Sequence, residues 1–182
     1  MLRIGFDSSP LLPGHPPGVR RVVERSLEAV EQRGRVEVVR LTPAGSAGLR
    51  SWRQRELLRA VRGMELVGIH AFVSAFAWRG PGHRVQTVHE APWRHGVREN
   101  ADLRHRFWAW GGARRASAVI TPTAATARDL GLTSGRLADR THVIPWGVGE
   151  PFEGEAPLHS MDEVLLGKYF LLVLSSPPRS GA

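Results

Sequence analysis

The chain has 182 residues, with 25 Lys+Arg against 17 Asp+Glu, a formal charge of +8 with His neutral, and no cysteine. That length suits one domain, or one domain and a fragment. A composition of 42% hydrophobic and 23% charged residues excludes a mainly disordered chain. The lack of Cys excludes disulfides, thiolate metal sites and Cys nucleophiles. No apolar run approaches the ~18 residues a spanning helix needs. The opening Met1-Leu2-Arg3-Ile4-Gly5-Phe6-Asp7 places an acid where a signal peptide keeps its apolar stretch, so a cytoplasmic protein is expected. Lys168 is the only lysine; the positive charge is otherwise arginine, which binds carboxylate and phosphate in a bidentate way. Such a balance admits nucleic acid, anionic lipid or phosphorylated small molecules as partners.

In chain order, residues 2–7 alternate and read as a first strand, followed by a Pro/Gly-rich loop through Gly18. Val19, Val22, Val23, Leu27 and Val30 share one helical face, and Gly34 stops that helix. Residues 36–41 read as a second strand. Strand, loop, helix and strand make a βαβ unit, which implies a parallel sheet. Trp52, Leu57, Leu58 and Val61 suggest a second helix, residues 66–72 a third strand and 85–89 a fourth. Residues 101–115 read as a helix with Leu103, Phe107 and Trp110 toward the core. A fifth strand at 118–121, a short helix at 124–130 and a sixth strand at 141–144 complete an open α/β sheet with helices on both faces. From Pro145 to Gly167 the texture becomes that of a linker, and residues 169–174 form one more apolar strand.

Ligands of open parallel sheets bind beyond the carboxyl ends of the strands. The loop from Pro10 to Gly18 lies there, and Pro17, Gly18 and Val19 open the first helix, where backbone N–H groups and the helix dipole favour an anion. There is no G-x-G-x-x-G fingerprint and no Gly-Lys-Ser/Thr, so a plain connecting loop is the alternative. His89 and Glu90 end the fourth strand, well placed for acid/base work or for holding a hydroxyl, against a purely structural histidine. His70 ends the third strand beside Gly68, which suggests close packing. No paired-His pattern marks a metal site, and no Gly-x-Ser-x-Gly marks a hydrolase. Trp108 projects beside Arg104 and Arg115, away from the expected core face. An anionic membrane surface fits that face, with a solvated basic face as the bland alternative.

The motifs in series resemble the N-terminal domain of a family 4 glycosyltransferase of the GT-B fold. They are Arg3-Ile4-Gly5-Phe6-Asp7-Ser8-Ser9-Pro10, Pro17-Gly18-Val19-Arg20-Arg21, Trp52-Arg53-Gln54, Thr87-Val88-His89-Glu90, Thr121-Pro122-Thr123-Ala124-Ala125-Thr126-Ala127-Arg128-Asp129-Leu130, Val143-Ile144-Pro145-Trp146-Gly147-Val148 and Tyr169-Phe170-Leu171. The resemblance implies a Rossmann-like acceptor domain over 1–148. It implies a linker plus the first strand of a nucleotide-sugar domain over 149–182. It further implies retaining transfer of a hexose from a nucleotide-sugar to a glycan or lipid-linked acceptor, with no cofactor or metal. By resemblance His89 is the catalytic histidine, Gly18 lies near the donor phosphates, Thr123 keeps the hydroxyl of a usual Ser, and Glu90 keeps the carboxylate of a usual Asp. Leu174 and Ser180 depart from the family's glycine and lysine. With nothing after Ala182, the expectation is half an enzyme, inactive without a C-terminal half. A truncated product, a split enzyme and an excised domain all fit that description. A non-catalytic acceptor-binding or docking module is the alternative, and nucleic acid is not expected as a partner.

Overall fold

A computed structural model describes residues 1–43, 48–97 and 102–147. The chain divides into two units, Met1–Trp146 and Gly147–Ala182, and only Gly147 of the second is described. The linker and the strand expected at 169–174 therefore lie outside the described residues.

Six strands form one all-parallel sheet: β1 (Leu2–Asp7), β2 (Val36–Leu41), β3 (Gly68–Ala71), β4 (His83–Thr87), β5 (Ala118–Thr121) and β6 (Thr141–Val143). Their spatial order is β2-β1-β3-β4-β5-β6. The chain runs outward from β1 to β2, then crosses back to β3 and continues the other way. The reversal puts the topological switch point between β1 and β3, where open parallel sheets form a crevice. Register fixes the carboxyl edge: Asp7 lies opposite Leu41 and Ala71, and Ala71 opposite Gln86.

Helices cover both faces. The helix α1 (Pro17–Gln32) packs Val23 and Leu27 on Phe6 and Phe72. A Cβ on neighbouring Gly5 would instead touch Leu41 and Leu66, in the cluster of Trp52, Leu57 and Val61. Adjacent strand residues point to opposite faces, so these clusters sit on opposite sides of the sheet. The second cluster belongs to one helical run: α2 (Leu49–Ser51), a π-helical segment Trp52–Glu56, and α3 (Leu57–Ala60). The expected helix is present there, but its wider π turn is not visible in the apolar periodicity. Gly68 is closely packed as expected, since a Cβ would lie 2.4 Å from the His83 carbonyl oxygen.

The helix α4 (Leu103–Arg115) corrects the expected core face. Leu103, Phe107 and Trp110 are 79%, 54% and 52% exposed. The buried stripe is Ala109, Gly112 and Ala113, continued by Ala116. It lies about 140° around the helix from the large side chains. A Cβ on Gly112 would sit 2.5 Å from Gln86 Nε2, so only a near-smooth helix face can approach the sheet this closely. Small side chains set the distance, and the large apolar ones are left outside. Asp102 caps α4 by accepting the His105 N–H at 2.5 Å. Two short helices, α5 (Ala124–Asp129) and α6 (Gly135–Ala138), connect β5 to β6.

Candidate active-site cleft at the switch point

Asp7 is the last residue of β1 and is fully buried. An acid there needs a partner, because an isolated buried charge is costly. The partner is Arg53, itself 4% exposed, in the π-helical segment. Its Nε donates to Asp7 Oδ2 at 2.5 Å, its Nη2 donates to Ser9 Oγ at 2.6 Å, and the Ser9 N–H donates to Asp7 Oδ1 at 3.0 Å. π-helical turns recur at functional sites because they redirect one side chain. Arg53 is the second residue of this segment. Arg53 in turn lines a cleft of about 500 Å³, together with His15, Ser51, Ser74, His105 and Trp108, among others. The sequence singled out none of this network as a site. Its one local signal is an acid closing an apolar strand, with the arginine 46 residues away.

His89 follows β4 on the same carboxyl edge. Its Nε2 lies 2.7 Å from the Phe72 carbonyl oxygen, and its ring centroid is 5.5 Å from that of Trp146. A carbonyl only accepts, so Nε2 carries a proton, and in the neutral ring Nδ1 carries the lone pair. The imidazole is thereby fixed in tautomer and orientation. Phe72 is also the first residue of the segment whose next three, Val73, Ser74 and Ala75, line the cleft. The histidine and the cleft thus share one stretch of backbone. The His89 carbonyl accepts from Thr126 Oγ1 at 3.3 Å.

The other expected site residues are more dispersed. Pro17, Gly18 and Val19 form the first turn of α1, which no side chain caps, and Gly18 is exposed with open space around its Cβ position. Pro17 borders a separate depression with Arg20, Arg21, Glu24, Arg25 and Glu28. Glu90 is exposed. Thr123 caps α5, its Oγ1 accepting the Thr126 N–H at 3.1 Å, so this hydroxyl serves the fold. His70 is a packing residue: its Nε2 is 2.9 Å from Thr87 Oγ1 and its ring 4.2 Å from that of Phe72. Desolvation pushes its imidazole down to about 4, so it is neutral at physiological pH. Burial, with the Arg53 charge behind it, also lowers the pKa of His15, and Asp7 opposes that shift.

Trp108 is half-buried, its ring 4.9 Å from Trp78, and the Arg115 guanidinium stacks on the other partner, 4.2 Å from the Trp78 ring. Trp108 also lines the cleft. Among the described residues no cluster of three His, Asp or Glu could hold a metal ion, and no helix is long and apolar enough to cross a membrane.

No curated protein matches the chain. The family model described as Glycosyltransferase Family 4 matches residues 10–149, which contain the cleft, His89 and every strand after β1. The parallel α/β unit with its crevice at the β1/β3 switch point thus belongs to glycosyltransferase family 4.

Proposed function

We propose that the cleft receives the acceptor of a retaining hexosyl transfer, with a nucleotide-sugar as donor and a glycan or lipid-linked molecule as acceptor. The observation that carries this reading is the backbone shared by His89 and the cleft at residues 72–75. Trp108 offers a flat apolar wall, and Ser51, Ser74, His15 and His105 offer polar atoms, the mixture that holds a sugar ring. His89 Nδ1 accepts a hydrogen bond from a sugar hydroxyl while Nε2 stays on Phe72. In the transfer the bond from C1 to the nucleotide phosphate breaks and a bond from C1 to the acceptor oxygen forms. The acceptor hydroxyl proton leaves with the phosphate. Holding both substrates together supplies about 7–11 kcal/mol of the barrier. We therefore expect this unit to bind acceptor through the cleft, with the nucleotide-sugar held beside it during transfer. Saturation-transfer NMR with a panel of glycans and glycolipid headgroups tests the first part. Binding that survives Trp108→Ala and Ser74→Ala unchanged would remove the cleft from the reading.

We also propose peripheral contact with anionic membrane, through a different surface from the one expected. Leu103, Phe107 and Trp110 form the exposed apolar stripe, and α4 carries four arginines and no acid. Apolar anchors with basic flanks suit an anionic headgroup layer. Co-sedimentation with phosphatidylglycerol vesicles, weakened by salt and by Trp110→Ser, is the expected result; equal binding to neutral vesicles would overturn it.

A further inference from the structure

We propose that the switch-point cleft is built to hold an oxyanion of the acceptor, a phosphate ester group, between Arg53, His15 and His105. This rests on reading the cleft as the acceptor site.

Three nitrogen-bearing side chains come from three different parts of the chain to one cavity: His15 from the loop before α1, Arg53 from the π-helical segment and His105 from α4. Among the described residues, none of the side chains lining the cleft is a carboxylate. Arg53 is held rigidly, since Nε and Nη2 are taken by Asp7 and Ser9, and this leaves Nη1 for the cleft among the described residues. A guanidinium fixed in advance loses little entropy when an oxyanion arrives. Ser74 Oγ lies 3.2 Å from His105 Nε2, and Ser51 adds a second hydroxyl to the same lining. Arg53 Nη1, the His15 ring and the Ser51 hydroxyl supply hydrogen-bond donors for the oxygens of a phosphate, with the Ser74–His105 pair beside them.

The charge balance argues the same way. Asp7 offsets Arg53, so the unoccupied cleft is close to neutral when both imidazoles are neutral. Desolvation and Arg53 favour the neutral form of His15, with Asp7 opposing. A bound anion would reverse that preference and draw a proton onto His15, with His105 across the cleft as the other titratable neighbour. A neutral sugar can use the hydrogen bonds of this lining but would not draw that proton onto His15.

The test uses sulfate, an oxyanion that does not itself titrate in this range. The imidazole carbons of the 182-residue chain are followed by NMR as pH is varied, in sodium sulfate and in sodium chloride at matched ionic strength. The expected result is a rise in the His15 midpoint in sulfate alone, equivalent to about tenfold tighter sulfate binding to the protonated form. His15→Gln should abolish that pH dependence, and His105→Gln should weaken sulfate binding. Equal midpoints in the two salts, or the same rise at exposed His142 of β6, would overturn the proposal. A neutral disaccharide read by Trp108 fluorescence separates this failure from failure of the acceptor reading. Disaccharide binding without a sulfate effect removes the anion subsite only, and binding of neither removes both. Sulfate-competed binding of a hexose phosphate, or of phosphatidylinositol vesicles, supports the proposal and assigns the phosphate to a soluble or a lipid-borne acceptor.

Discussion

Replacing Arg53 by Met should be the most damaging single change near the cleft. Met fills much of the arginine volume, so the effect isolates the charge. Asp7 would keep its carboxylate in a site 1% exposed, with only the Ser9 N–H at 3.0 Å to compensate. Removing one partner of a buried pair costs about 3–5 kcal/mol, because the surviving charge has lost its counter-ion. For a unit of this size each kcal/mol lowers the melting temperature by roughly 3 °C, so a fall of about 10–15 °C is expected. Asp7→Asn together with Arg53→Met removes both charges and should recover about half of that loss, so that the double variant is more stable than Arg53→Met by about 2 kcal/mol. Calorimetry on the two single variants and the double variant measures it. A loss below about 1 kcal/mol for Arg53→Met, or strict additivity of the singles, would refute the buried-pair reasoning.

His70 titrates about 4 when folded against 6.5 when unfolded. The unfolded chain binds the extra proton between those values, so stability falls as pH drops through that window, by about 3 kcal/mol at its acid end. Urea unfolding of His70→Gln should lack this part of the slope; superimposable pH profiles would count against it. Gly112→Ala should cost about 1–3 kcal/mol, since its Cβ would meet buried Gln86 at 2.5 Å. Thermal melts check this, and an unchanged midpoint would mean that α4 can lift from the sheet. In the assembled transferase His89→Ala should lower turnover by about 100-fold or more, while chemical denaturation shifts far less than for Arg53→Met; near-normal turnover would remove His89 from the chemistry.

The six strands and their parallel arrangement were legible because short apolar runs alternate with helical periodicity from Leu2 to Val143. Strand ends were less so. β4 ends at Thr87, two residues before His89, because the last paired residue is set by β5, whose Ile120 faces Thr87. The position of His89 on the carboxyl edge survives that shift. The Asp7–Arg53 pair was not legible, since hydrophobic periodicity carries no information on which distant arginine meets a buried acid. Only the βαβ topology brings β1 and the π-helical segment together.

The inverted face of α4 shows where apolar periodicity misleads. Leu103, Phe107 and Trp110 recur at helical spacing, and so do Ala109, Gly112, Ala113 and Ala116. Counting hydrophobicity alone favours the large residues. What decides the matter is the room left over the sheet. Gln86 is fully buried beneath α4, and its Nε2 donates to the Ser74 carbonyl and reaches that of Trp108. A helix of large side chains would stand off and strand that amide in a void, whereas the Gly/Ala face closes over it. The same close approach brings Trp108 and His105 down onto the segment at residues 72–75, and so makes α4 a wall of the cleft. The proposed membrane contact and the proposed acceptor site fall on two sides of one helix: the outer stripe of Leu103, Phe107 and Trp110 faces away from the sheet, while His105 and Trp108 line the cleft. An acceptor carried in a bilayer would meet the outer stripe and the cleft wall on the same helix. For such an acceptor Trp110→Ser should raise the apparent KM on vesicles and leave KM for its soluble headgroup unchanged, and equal effects on both would show that the outer stripe acts through the fold of α4.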